Sequence, residues 1–380
     1  MRTSFVRLPH ILIGGALVAG ILGAIVAGPA SAKSNAGFTK GTWDHKAIGA
    51  LTFSPDGVLF FADDQAGAVY GVDLGEKAAK AQAHAKVPDL GAALAGRLGT
   101  TPAGIRIKDI AVSPISHVTY ISVRKTDGTN QDPANPANYA LFAVDPAGTV
   151  SPVDLSTKAF GKVAINGTKA FGRDADARII SDLAYANGKL LVAAVATEAF
   201  KSNLYSVPVP FRAEGVERYA TSIFHVNHKR QETASPIQTL TVYRDNGKDY
   251  LMAAYICTPL VRFNLEDLKA GETVTGTTVA ELGSRNQPMD LVAYGKPGAQ
   301  SLLVNNTSFG ILKVDAKIAK ETAAVNQTAV DRGDRGTVTQ PGIQPIDSLK
   351  GAKAYAPAGD SLVVVKTTDS GMALETMALP

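Results

Sequence analysis

The chain almost lacks cysteine. Cys257 is the single one in 380 residues, so no internal disulfide can form, and neither a CxxC metal pair nor a CxxCH haem attachment exists. Charge of one sign is also lacking: 38 basic residues face 34 acidic ones, a formal +4. Removing Arg2 and Arg7 with a cleaved leader leaves 36 against 34. Clustered Lys and Arg are absent, which excludes a nucleic-acid partner held by counterion release. Nor is there an HExxH helix, a GxSxG elbow, a P-loop or a GxGxxG following a strand, so no nucleotide cofactor and no motif-defined hydrolase is expected. Helical periodicity is scarce.

What is present begins with a leader. Arg2 and Arg7 precede ILIGGALVAGILGAIVA (11–27) and the small triplet Ala30-Ser31-Ala32. This predicts a secretory signal peptide over 1–32, cleaved after Ala32, and a bacterial periplasmic or secreted product without stable membrane insertion. The alternative is an uncleaved anchor. With 45% hydrophobic residues, the remaining 33–380 can bury a large core as a single domain.

Repetition organises that domain. A unit of inner strand, tight turn and second strand recurs six times, anchored on Ala50, Asp109, Asp182, Thr239, Asp290 and Ala352. Third strands such as AVYGVDL (68–74) and GILKVDA (310–316) follow. Asp-Gly, Asn-Gly and Pro-Gly turns divide the strands. Six four-stranded antiparallel sheets without covering helices pack best radially, so the expectation is all-β, a six-bladed β-propeller. One short helix is expected at DLGAALAGRLG (89–99), between the first two blades. The last unit is one strand short, which predicts that 38–48 completes it and closes the ring.

In such a ring Asp109, Asp182 and Asp290 gather at one mouth of the central channel. They could hold a divalent cation such as calcium, with Asn305 or Asn306 as neutral partners. They could instead accept backbone N–H groups from adjacent blades, which repetition at equivalent positions favours. HVNHKRQETASP (225–236) leads into the fourth blade, and His225, His228, Arg230 and Glu232 are expected to project over that mouth. His228 and Glu232 are the candidate acid–base pair, and a histidine here with aspartate partners is the candidate transition-metal alternative. Arg285, Asn286, Arg106 and Arg178 are candidates to bind a carboxylate or phosphate. Cys257 reads as a buried spacer. Trp43 is the single tryptophan, which argues against a tryptophan-rich pyrroloquinoline-quinone propeller.

The stretches GTTPAGIRIKDIAVSP (99–114), SDLAYANGKLLVA (181–193), FHVNHKRQETASPIQ (224–238) and YICTPLVRFNLEDLKAGETVTGTTVAELGSRNQPMDLVAYGKPG (255–298) resemble a family of exported bacterial β-propellers. More loosely, the architecture is similar to six-bladed gluconolactonase/regucalcin-like and YVTN-type propellers. In the former a divalent cation sits in the mouth, although their Glu, Asn and Asp ligand set has no position-by-position match here. Together these readings point to a periplasmic module that binds a small molecule or a protein at the channel mouth. The alternative is a divalent-metal-dependent lactonase or esterase acting there.

Overall fold

The computed structural model describes residue 1 and residues 33–79, 85–128, 132–167, 177–195, 202–212, 214–256, 259–282, 286–321, 340–369 and 371–380. The expected leader and two of the sequence-selected residues, Cys257 and Arg285, lie outside them.

Six antiparallel sheets form the six expected blades. Their innermost strands are Leu51–Phe53, Ile105–Val112, Ile180–Ala186, Ile237–Asp245, Pro288–Tyr294 and Ala352–Ala358, which define blades one to six in chain order. The turn to the second strand is a two-residue hairpin at Asn187–Gly188 (φ 47° and 74°) and at Asn246–Gly247 (φ 50° and 76°). Two successive positive φ angles match the twist of the flanking strands, which is why Asn-Gly stands there. Second strands such as Leu59–Asp63 are buried from end to end. Each blade is covered on both faces by its neighbours, so these strands read as unbroken apolar runs and not as alternating ones.

An apolar cluster fills each of six seams, and the clusters give the order around the ring: one to three, three to four, four to five, five to six, six to two, and two back to one. The chain does not visit its blades in spatial order. It lays three strands of blade one, crosses to build blade two, and returns with Ala159–Ala164 as the outermost strand of blade one. Only then does it continue to blade three.

Closure differs from expectation for the same reason. Blade six has three strands, and Val87 pairs with Leu374 on its edge, donating at 2.8 Å and accepting at 2.9 Å. The helix Leu90–Arg97 follows, where sequence placed it, and packs into the seam of blades six and two. Asp89 caps it by accepting from the Ala92 N–H at 2.9 Å, and Gly99 at φ 63° ends it. Segment 38–48 cannot reach blade six, because blade one neighbours blades two and three; Thr39 instead pairs with Phe160 on the edge of blade one.

One irregularity positions the site. The pairing of first and second strands slips by one residue at Ile107/Asp109, at Ile237/Thr239, at Pro288/Asp290 and at Ala352/Ala354. In blade three the slip falls between Ala193 and Ala194 on the second strand, opposite Asp182 and Ile180. Such a bulge bends the strand and re-aims the next side chain, here toward the axis. It also shows that Ala354, not Ala352, is the blade-six equivalent of the aspartates.

Candidate functional site

The chain path rearranges the repeated acids. In sequence the six equivalent positions read Ala50, Asp109, Asp182, Thr239, Asp290, Ala354. Around the ring they read Asp109, Ala50, Asp182, Thr239, Asp290, Ala354, so an aspartate stands on every second blade. Each partly buried carboxylate bridges a seam or braces its own strand. Asp109 accepts the Leu51 N–H of blade one at 2.7 Å and the Ile110 N–H of its own blade at 2.7 Å. Asp182 accepts the Leu240 N–H and the Thr239 hydroxyl of blade four at 2.8 and 2.6 Å, and its own Leu183 N–H at 2.8 Å. Asp290 accepts the Leu291 N–H, and Tyr355 of blade six donates to the Asp290 carbonyl at 3.2 Å.

These hydrogen bonds favour the charged forms, yet all three acids are held above the ordinary carboxylate range. Depth in the channel is the main cause at each. For Asp109 the charges of Asp290 and Asp182 add to it. Asp290 is pushed up to about 7 by depth and then by Asp182. Arg178, partly buried just before blade three, acts in the other direction on Asp182.

Above this layer the channel widens into a cavity of about 420 Å³ to which all six blades contribute, with Asp109 and Asp290 in its floor. Phe53, Tyr185 and Arg244 line it, and Ser54, Pro55, Pro114 and Pro357 stand where the first strands end. The cavity therefore opens on the face of the first-to-second turns, opposite the entries to the innermost strands, where the sequence suggested the acids would ring a mouth. Those wall residues were missed because they are apolar or commonplace. The available signal was their offset, three to five residues beyond each anchor on an innermost strand.

His225, His228, Arg230 and Glu232 do come together, but elsewhere. His225 ends the fourth strand of blade three, Glu217–His225, on whose outer side Arg230–Glu232 folds back and Thr273–Thr275 pairs in parallel. The Val226 N–H donates to buried Glu281 of blade four at 3.0 Å, which fixes the cluster at the outer seam of blades three and four. The outer strand runs away from the cavity mouth, so the cluster lies on the opposite face and not over the channel. Glu232, 8% exposed, faces His225 Nδ1 at 2.9 Å and His228 Nδ1 at 2.6 Å, and accepts Arg230 Nε at 2.9 Å and the Ser235 hydroxyl at 3.3 Å. Burial alone would raise Glu232; hydrogen bonds from His225, Arg230 and His228 outweigh it and hold the acid at about 2. Burial also pushes the His225 ring below the usual histidine value.

The remaining candidates are dispersed. Asn286 is fully buried; its amide donates to the Leu282 carbonyl at 2.7 Å and accepts the Ser308 N–H at 3.0 Å, so it ties a loop to the chain and does not face a ligand. Asn305, the strand partner of Asp290, donates to the Lys353 carbonyl at 3.5 Å across the next seam. Arg106 is exposed at the start of the innermost strand of blade two, paired with Arg124. Among the described residues, the one set of three His, Cys, Asp or Glu side chains whose ligand atoms all lie within 4.8 Å of one another is His225, His228 and Glu232. Asp109, Asp182 and Asp290 do not form such a set.

No protein-family profile matches the chain, and no curated protein does. Among solved structures it is similar to virginiamycin B lyase from Staphylococcus aureus, with 10% identity, coverage of 88% of this chain and 96% of that one, and a TM-score of 0.36. It is similar to the pyrroloquinoline-quinone-bound aldose sugar dehydrogenase of Streptomyces coelicolor, with 14% identity, coverage of 90% and 96%, and a TM-score of 0.32. Hydrazine synthase of Kuenenia stuttgartiensis gives 14%, 88% and 97%, and 0.36. These values carry no argument about what this chain binds or converts.

Proposed function

We propose that the protein is a binding module that takes a small organic amine into the central cavity, amine end first. The observation that carries this reading is the carboxylate layer in the cavity floor. Three acids held above the ordinary carboxylate range sit around one axis, and at Asp109 and Asp290 the neighbouring carboxylates add to the effect of burial. An ammonium group brings the missing charge and donates hydrogen bonds to both. The walls suit its organic remainder: Phe53 and Tyr185 offer aromatic surface, which attracts cations, while Leu183, Leu240 and Leu291 are apolar. A bare divalent ion fits less well, since the acids do not converge within one coordination sphere. The metal-dependent lactonase or esterase reading loses its ligand set for the same reason.

Export belongs to the same proposal and is checked by finding Lys33 as the first residue of the secreted protein. The binding test is a calorimetric screen of primary and quaternary amines against neutral isosteres of equal size. Amines should bind at neutral pH and isosteres should not, and Asp290→Asn should weaken amine binding at least about tenfold. Neutral isosteres binding as tightly as amines, or an Asp290→Asn protein that binds amines normally, would overturn the proposal.

A further inference from the structure

We propose that His225, His228 and Glu232 form a binding site for one transition-metal ion of the zinc class at the outer seam of blades three and four. Two imidazole nitrogens and one carboxylate are a borderline-soft donor set, suited to zinc, cobalt(II) or nickel(II) and unsuited to calcium or magnesium, which take oxygen. The three side chains share one hairpin. His225 and His228 flank the single 3₁₀ turn Val226–His228, and Lys229 at φ 54° turns the chain so that Arg230–Glu232 pairs back on the strand, with Ile223 opposite Glu232. That turn puts the two rings 3.9 Å apart with both Nδ1 atoms facing the same carboxylate.

The spacing is slightly tighter than that of an occupied site. Ligand atoms bound to a tetrahedral zinc at about 2.0–2.2 Å stand about 3.3–3.5 Å from one another. Here the nitrogen–oxygen separations are 2.9 and 2.6 Å, so opening by about half an ångström at His225 and somewhat under one ångström at His228 admits the ion. Without metal, both rings present Nδ1–H to the ionised Glu232. With metal, each stays neutral, carries its proton on Nε2, and gives the Nδ1 lone pair to the ion. Support is in place: the Ser235 hydroxyl holds Glu232 Oε2, and Glu281 anchors the Val226 N–H between the histidines. His228 is 41% exposed, giving a solvent path to the site and room for water in a fourth position. Arg230 competes with the ion for Glu232 Oε1, but at 71% exposure it can swing into solvent.

The test is titration of the purified protein with Zn²⁺ alone by calorimetry, repeated with Co²⁺ to read its visible ligand-field absorption. One equivalent should bind, with the intense cobalt band of a four-coordinate site, and Ca²⁺ should not compete. His228→Ala and Glu232→Gln should each weaken binding at least about tenfold, while Asp290→Asn should bind as the parent does. His228 is exposed enough that its variant keeps the fold, so the result stands even if Glu232→Gln is unstable. No saturable Zn²⁺ binding, or binding unchanged in His228→Ala, would overturn the assignment.

Discussion

The molecule holds two carboxylate centres with opposite electrostatics. In the channel, burial first and then the charge of neighbouring carboxylates push Asp109 and Asp290 upward, Asp290 to about 7, and burial raises Asp182. At the outer seam, Glu232 is nearly as enclosed but has two histidines and an arginine, and sits at about 2. Burial acts in the same direction at both; the identity of the neighbours decides the outcome. In a centre of the first kind the acids add to one another's charge, with Arg178 acting against this only at Asp182, and such a centre suits an incoming cation. The second is already neutralised by its own chain, and accepts an ion only by exchanging proton and guanidinium donors for it.

The comparison breaks hardest at Asp182, which serves three donors from two blades. Asp182→Ala leaves these donors unpaired in the channel and should cost about 3 kcal/mol or more in urea unfolding. If the loss is under about 1 kcal/mol, water replaces the carboxylate and the seam-locking role fails. Asp290→Asn is expected to act the other way. Its value of about 7, against the ordinary 3.8, means that the folded chain keeps a proton the unfolded chain has lost. Wild-type stability therefore falls as pH rises from about 4 through about 7. The variant escapes this and should gain about 1–3 kcal/mol at pH 8 and nothing at pH 4, measured by thermal melts. Stability and amine binding are then traded at one residue.

Glu232 sharpens the contrast. Its folded value of about 2 lies below the ordinary 4.5, so its contribution is fully present above pH 4.5 and is lost as pH falls toward 2. Glu232→Gln should cost about 1–2 kcal/mol at pH 7, discounted for the exposure of His228 and Arg230, and almost nothing near pH 2. A cost independent of pH would mean that packing, and not charge, holds the hairpin.

How much of this was legible in sequence differs between the two centres. The six units, their Asn-Gly turns and the helix capped by Asp89 could be read because each rests on local chemistry. The ring order could not. AFGKVA (159–164) and the run around Val87 are ordinary short strands, and which edge they join depends on sheets formed far away in the chain. The threefold alternation of aspartates was hidden with it, since in sequence Asp109 and Asp182 are consecutive anchors. Blade six was misaligned by two residues because no acid marks its bulge. Four of the residues at the outer seam were visible as a dense polar run, but buried Glu281, its anchor from the next blade, was not.

Arg230 offers the smallest effect on stability and the finest discrimination. Its guanidinium is 71% exposed and contacts a carboxylate that two histidines already engage. Removing it should change metal-free stability by less than about 0.5 kcal/mol, as for most exposed ion pairs. In the presence of Zn²⁺ the same change removes a cationic competitor of the ion for Glu232 Oε1. Arg230→Ala should therefore bind zinc several-fold more tightly than the parent while unfolding at nearly the same urea midpoint without metal. An Arg230→Ala protein that binds zinc more weakly would make the guanidinium a support for the carboxylate and not its rival, and the outer seam would resemble the channel in needing every donor it has.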